Sequence, residues 1–328
     1  MTKVIVTAII GAALSGAIGL LLLPILRALK AGQSIREIGP TWHNYKAGTP
    51  MMGGLMFVFA AIICLVINVF FNMQDYTVFY VLGLGLCFGA VGFLDDFFKL
   101  KFKRNLGLTS IQKALLQMAV SALYLYLLYK QGALSCNLYI PFVSAPIENI
   151  PIMAYIFFAM FVIVGCVNAV NLTDGVDGLC GSVTIPVMVF FTVAAVATEK
   201  MDMALLPASL AGGLVAYLFY NWHPAKVFMG DTGSLFLGGI VCGLAFALDM
   251  PLVLIFVGLV YIVETLSVIL QVGYFKITHG KRIFKMAPIH HHFEMSGWKE
   301  EKIVLVFSTV SIAMCILAWF GIGNMISK

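Results

Sequence analysis

The sequence predicts an all-α integral membrane protein: one bundle of about ten transmembrane helices, forming a single polytopic domain over residues 1–328. Two observations lead there. Of the 328 residues, 61% are hydrophobic and only 11% charged, with a mean hydropathy of +1.00. A soluble chain of this length cannot conceal that much apolar surface, because much of any folded surface stays in water. Apolar runs of about 20 residues also recur, the length at which a helix crosses a hydrocarbon core of about 30 Å.

Ten spans follow in order: 4–27, 51–71, 76–94, 112–130, 151–170, 181–198, 203–220, 234–249, 251–274 and 303–323. The first, Val4 to Leu26, is too long for the apolar region of a signal peptide and has no small-residue cleavage site, so no cleavable signal is expected. The eighth is short and carries Gly238, Gly239 and Gly243, which permits close helix packing. Pro251 makes the turn into the ninth. The seven cysteines include no CxxC pair, and most lie within apolar runs. They read as small buried hydrophobes, excluding a disulfide framework or a zinc site.

An even number of spans puts both termini on one side. The loops after spans one, three, seven and nine hold 16 of the 20 Lys and Arg residues. By the positive-inside rule those loops are cytoplasmic and both termini face out. No soluble domain, low-complexity linker or internal repeat interrupts this pattern, and nothing suggests a nucleic-acid partner.

The polar residues gather at the ends of these spans, on the side with the basic loops. Ionisable groups are expensive near hydrocarbon, so such a gathering marks a functional site. Asp95-Asp96 closes the third span, with Lys99 and a basic run behind it. Adjacent residues on a helix point about 100° apart, which argues against the two carboxylates sharing one ligand. Asn168, Asn171, Asp174 and Asp177 follow the fifth span at every third residue, near one helical face, with Gly175 and Gly178 allowing close approach of a bound group. A capped helix restart would explain one of these acids but not the register of all four.

Gly230-Asp231-Thr232-Gly233-Ser234 opens the eighth span near Asn221 and His223. Small residues and free amides at a helix N-terminus suit an anion, and the Asp suits Mg²⁺ bridging to phosphate. His290-His291-His292 lies in the basic loop before the tenth span. Consecutive histidines fan apart, unlike zinc ligands at i, i+4, so contacts to phosphate or sugar fit better. Lys46 and His43, in the loop before the second span, are within reach of a phosphate. Glu264, well inside the ninth span, is expected to pair with another helix.

Together Asp-Asp, Asn-x-x-Asp-Gly-x-Asp-Gly, Gly-Asp-Thr-Gly-Ser and Pro-Ile-His-His-His-Phe-Glu, in this order and spacing, resemble the polyprenyl-phosphate N-acetylhexosamine-1-phosphate transferases. The triple histidine and Lys46-x-Gly48-Thr49-Pro50-x-Met-Gly53-Gly54 are similar to the phospho-N-acetylmuramoyl-pentapeptide transferase branch. The resemblance runs from about Thr41 to Glu294. It implies a bacterial cytoplasmic-membrane enzyme of peptidoglycan synthesis. The reaction moves phospho-MurNAc-pentapeptide from UDP-MurNAc-pentapeptide to undecaprenyl phosphate, with Mg²⁺, giving lipid I and UMP.

On this reading Asp231 is the Mg²⁺ ligand, with Asp174 a second candidate. Asp95, Asp96, Asp174 and His290 form the catalytic set. Lys46, Lys113, Asn171, Asp177, Asn221, His291 and His292 bind the substrates. The lipid phosphate is mostly ionised at neutral pH, so direct in-line attack is expected, with Asp95 removing any residual proton. Two rivals are a sister transferase using UDP-GlcNAc and an ion-coupled transporter. The one-sided placement of the acids argues against the transporter, whose sites lie near the midplane. The oligomeric state stays open, a homodimer included.

Overall fold

The computed structural model describes residues 1–29, 48–71, 73–102, 106–143 and 145–323. Lys46 and His43 lie outside the described residues. Among the described residues the fold is helical throughout: α1 (Thr2–Ala28), α2 (Leu55–Phe70), α3 (Val78–Lys101), α4 (Ser110–Lys130), α5 (Ile152–Thr173), α6 (Leu179–Ala197), α7 (Leu205–Asn221), α8 (Gly230–Ala247), α9 (Leu254–Val257), α10 (Leu259–Ile277), α11 (Ile289–Glu294) and α12 (Glu300–Gly321). Eight of these are long and apolar enough to cross a membrane, and α2 and α7 are shorter apolar helices, which together match the ten predicted spans.

Helix α8 is the axis of the bundle. It is apolar on every side, and all of its residues except Asp231 are buried. Glycines let its neighbours reach its backbone. A methyl group on Gly239 would stand 3.1 Å from Cα of Gly85 in α3, and one on Gly238 would stand 2.7 Å from Cα of Val167 in α5. The predicted close packing is therefore realised on two faces. Buried interhelical hydrogen bonds add to it: Gln117 of α4 and Asn168 of α5 donate to one another (3.3 and 2.7 Å), and Asn68 Nδ2 of α2 donates to Thr7 of α1 (3.1 Å). Such bonds contribute about 1 kcal/mol each inside a membrane bundle.

Contacts also fix the ends of the bundle. Lys3 reaches Asp202 between α6 and α7, and Phe142, between α4 and α5, donates its N–H to the carbonyl of Gly321 at the end of α12. The first and last helices therefore have their outer ends away from the acidic end described below.

Four boundaries differ from those predicted. Helix α3 does not stop at 94 but continues to Lys101, because its acids are satisfied by Lys99 and by α8 and no breaker follows until Gly107. Asp95 and Asp96 are thus inside a helix and buried, rather than beyond its end. Helix α8 begins at Gly230, which puts Asp231 in its first turn. The ninth span is not continuous: a 3₁₀ turn at Pro251–Val253 leads to α9, and Gly258 (φ −94°, ψ 9°) separates it from α10. The triple histidine forms the short helix α11 rather than a loop.

Candidate active site

The acidic end is built where α3 crosses α8. Gly92 brings the two backbones together, since a methyl group there would stand 2.1 Å from the carbonyl oxygen of Asp231. One turn on, Asp96 accepts from the N–H of Asp231 (3.2 Å) and from the N–H and hydroxyl of Thr232 (2.9 and 2.7 Å). These amides belong to the first turn of α8 and have no partner within their own helix, so Asp96 caps α8 from a different helix. Gly230 must be glycine: its φ is +74°, and a methyl group would stand 2.6 Å from Asp96 Oδ2.

Asp95 turns towards Lys99 and the start of α4. Its Oδ2 is 2.6 Å from Lys99 Nζ and its Oδ1 accepts from the N–H of Leu108 (2.8 Å). Thr109 and Gln112 form a capping box that starts α4, which places Lys113 in its opening turns. Lys113 Nζ donates to Asp231 Oδ2 at 2.7 Å, and Lys99 Nζ approaches the same oxygen at 3.2 Å. Asn171 of α5 donates to Asp231 Oδ1 (2.9 Å) and to Ser234 Oγ (2.8 Å).

Asp95, Asp96 and Asp231 each offer an oxygen, and these atoms lie within 4.8 Å of one another. The two adjacent acids take different partners, Asp96 the first turn of α8 and Asp95 Lys99 and Leu108, yet each keeps one oxygen near Asp231. Three carboxylates face two ammonium groups, so the cluster keeps one uncompensated negative charge when all are ionised. An all-oxygen, net-negative cluster fits a hard divalent cation such as Mg²⁺.

A second cluster follows at the α5–α6 junction, one turn beyond Asn171. Asp177 is buried; its Oδ2 accepts from the N–H of Ala225 (3.0 Å) and lies 3.2 Å from His223 Nδ1, while its own N–H donates to Glu300 Oε2 of α12 (3.1 Å). Asn221 is also buried. Its side-chain oxygen accepts from the N–H of Gly178 (3.0 Å), and its Nδ2 donates to the carbonyl of Val227 (2.9 Å). Both ends of that amide hold backbone, clamping the α5–α6 and α7–α8 junctions together.

The three histidines take different polar partners, although the rings of His290 and His291 stay in edge contact, their centroids 4.2 Å apart. His290 is buried with Nδ1 3.0 Å from Glu264 Oε2, and its other edge meets Gly175. His291 pairs with Glu294 of its own helix, and His292 Nδ1 accepts from the N–H of Lys285 (3.1 Å). The predicted residues therefore form two neighbouring sets joined by α5. Asp95, Asp96, Lys113, Asn171 and Asp231 meet in the first. Asp177 and Asn221 meet in the second, where His290 touches the loop that carries Asp174. Asn168 belongs to neither set, being engaged with Gln117.

Sequence reasoning passed over Glu300, whose only signal is an acid in the first turn of α12, and treated Lys99 as a local charge rather than a partner of Asp231.

The glycosyl transferase family 4 model matches residues 78–249, the stretch that supplies both acidic clusters apart from Glu300. Over nearly its full length the chain is similar to proteins named phospho-N-acetylmuramoyl-pentapeptide-transferase. The relative from Clostridium perfringens (strain 13 / Type A) is 47% identical over 317 residues, covering 97% of this chain and 98% of the relative. That from Carboxydothermus hydrogenoformans is 45% identical over 309 residues, 93% and 94% of the two chains. That from Thermoanaerobacter sp. (strain X514) is 42% identical over 325 residues, 98% and 100%. With identity this high across the span that builds both clusters, the chain belongs to the phospho-N-acetylmuramoyl-pentapeptide-transferase family.

Proposed function

We propose that the acidic end of the bundle transfers phospho-MurNAc-pentapeptide from UDP-MurNAc-pentapeptide to undecaprenyl phosphate, giving lipid I and UMP. A phosphate oxygen of the lipid attacks the phosphorus attached to the sugar. That P–O bond forms as the bridging P–O bond breaks, and UMP leaves with the bridging oxygen. The convergence of Asp95, Asp96 and Asp231 with Lys99, Lys113 and Asn171 carries this reading. Phosphoryl transfer asks a protein mainly for positioning and charge neutralisation, and this cluster supplies both.

Asp231 would hold Mg²⁺, with Asp95 and Asp96 adjacent and Asp174 as a further candidate. When bound, the ion would neutralise charge developing on the leaving UMP. Lys99 and Lys113 hold Asp231 in place, and either ammonium can turn to a phosphate oxygen once the charge balance changes. Asp95 accepts any proton left on the lipid phosphate, and Asp96 holds the first turn of α8 aimed at the centre. Asn171, Asp174 and Asp177 orient the nucleotide half of the donor. Asn221 acts by fixing the backbone around Asp177. Lys46, His291 and His292 complete the phosphate and sugar contacts, with His290 buried against the Gly175 loop behind them.

The outer face of α3 suits a lipid acceptor. Phe93 and Phe97 stack at 6.3 Å and are exposed on the face that would meet lipid, while Asp95 and Asp96 of the same helix point inward. A polyprenyl chain in the bilayer can thus bring its phosphate to the acids without crossing the bundle. The excess of Lys and Arg in the loops at this end supports a cytoplasmic orientation by the positive-inside rule.

UMP release by the purified protein in detergent, with undecaprenyl phosphate and Mg²⁺, tests the reading. Release with UDP-MurNAc-pentapeptide and none with UDP-GlcNAc is expected. Release with UDP-GlcNAc alone would overturn the assignment of the donor, and silence with both would overturn the reaction.

A further inference from the structure

Glu264 is a carboxylate in the second turn of the apolar helix α10, fully buried. A carboxyl group inside such a helix is expensive to bury; its Oε2 lies 3.0 Å from Nδ1 of His290 in α11, and its Oε1 has no hydrogen-bond partner among the described residues. With Nδ1 turned to Glu264, the opposite edge of the ring, Nε2, faces away from α10. Nε2 is buried and has no hydrogen-bond partner among the described residues. It lies against Gly175, where an added methyl group would stand 2.2 Å away. Gly175 is the residue between Asp174 and Val176, in the loop that leads to Asp177. A ring held this close leaves room for no side chain but glycine's.

We infer that Glu264 is a positioning residue: it fixes the ring of His290, whose edge braces the Asp174–Asp177 loop and so sets the grip on the nucleotide half of the donor. This rests on the proposed transfer reaction and deepens it. Glu264 touches neither substrate; its effect passes through His290 to Gly175. A carboxylate behind a histidine fixes the orientation of its ring; where the histidine ligates a metal, changing such a partner typically costs about 10–100-fold, and a loss at the lower end of that range is expected here. Neutral glutamine keeps an acceptor oxygen but also offers N–H donors, so it holds the ring less firmly.

The test compares KM for UDP-MurNAc-pentapeptide, KM for undecaprenyl phosphate, kcat and thermal unfolding for wild type, Glu264→Gln, Gly175→Ala and the double variant. The expected result for Glu264→Gln is donor KM raised about 10-fold or more, with the lipid KM and unfolding temperature close to wild type. Gly175→Ala displaces the ring directly and should raise donor KM in the same way. The double variant should then fall well short of the product of the two effects, because both act through one ring. An unchanged donor KM in either single variant, an equal rise in both KM values, or independent effects in the double variant would each overturn the inference. Should Glu264→Gln not fold, the Gly175→Ala split between the two KM values decides alone. Failure of the transfer reading itself shows separately, as absence of UMP release by the wild type.

Discussion

Lys113 Nζ lies 2.7 Å from Asp231 Oδ2, so the acid best placed to hold a divalent ion is held by an ammonium group from a different helix. The ion and the lysine compete for the same oxygen, and in exchange each can serve a phosphate. Replacing Lys113 with Met should therefore affect metal and substrate in opposite directions. Apparent Mg²⁺ affinity should rise, because one positive charge has left the cluster. Turnover should fall by about 10²–10³, the usual effect of removing one preorganised contact to developing charge. Mg²⁺ titrations of UMP release check both. Asp231→Ala is the complement, with turnover lost by at least that factor; full activity with unchanged Mg²⁺ dependence would remove Asp231 from the metal site.

Asp96 is expected to be structural as well as chemical. It accepts three hydrogen bonds from the first turn of α8, and an asparagine can supply only one oxygen to them. Asp96→Asn should lower stability by about 1–3 kcal/mol, the range for leaving a buried donor unsatisfied. Thermal unfolding in detergent measures it. By contrast Asp95, whose partners are Lys99 and Leu108, should lose activity on conversion to Asn with a smaller fall in unfolding temperature.

Two glycines of α3 should behave in opposite ways. Gly92→Ala drives a methyl group to 2.1 Å from the Asp231 carbonyl oxygen, whereas nothing lies within 4 Å of a methyl group on Gly83. Overpacking of this kind costs about 1–3 kcal/mol, and here it would also shift Asp231 away from Lys113 and Asn171. Gly92→Ala should therefore lose both stability and UMP release. Gly83→Ala should match the wild type in both. Equal behaviour of the two variants would mean that the α3–α8 crossing does not set the site.

Much of this was legible from the chain. Apolar runs of bilayer length revealed the helices, and the glycines of the eighth span foretold its burial. The motif residues Asp95, Asp96, Asn171 and Asp231, far apart in sequence, come together in the fold. What escaped was geometry that depends on partners distant in sequence. Helix α3 runs on past Asp95 because α8 satisfies Asp96, a fact with no trace in local periodicity. The role of Asn221 as a clamp on Gly178 and Val227 looks, in sequence, the same as that of a ligand-binding amide. Glu300 offered no motif at all, since its meaning lies in an N–H donated by Asp177, 123 positions away.

The opposite end of the bundle carries a pH-sensitive tie. Asp202 accepts from the backbone N–H groups of Gln74 (2.8 Å) and Asp75 (3.0 Å) and pairs with Lys3 (3.3 Å), linking α1, the α2–α3 turn and the α6–α7 turn. Burial alone would push its carboxyl up, but the two N–H donors and the Lys3 ammonium outweigh it and hold it below the ordinary 3.8. The folded state therefore binds this proton less readily than the unfolded state. Its stabilisation is complete above the ordinary carboxylate range and is lost as pH falls through the lowered folded value. Asp249, on the same end, is shifted upward by burial and works in the opposite sense, but it is common to both proteins in a comparison with Asp202→Asn. That variant should unfold at a lower temperature than the wild type at pH 7, and the gap should narrow only below about pH 4. Thermal unfolding across pH 7 to 3 reads it. A gap that stays constant to pH 3 would mean that the carboxylate charge contributes nothing and that the tie rests on shape alone.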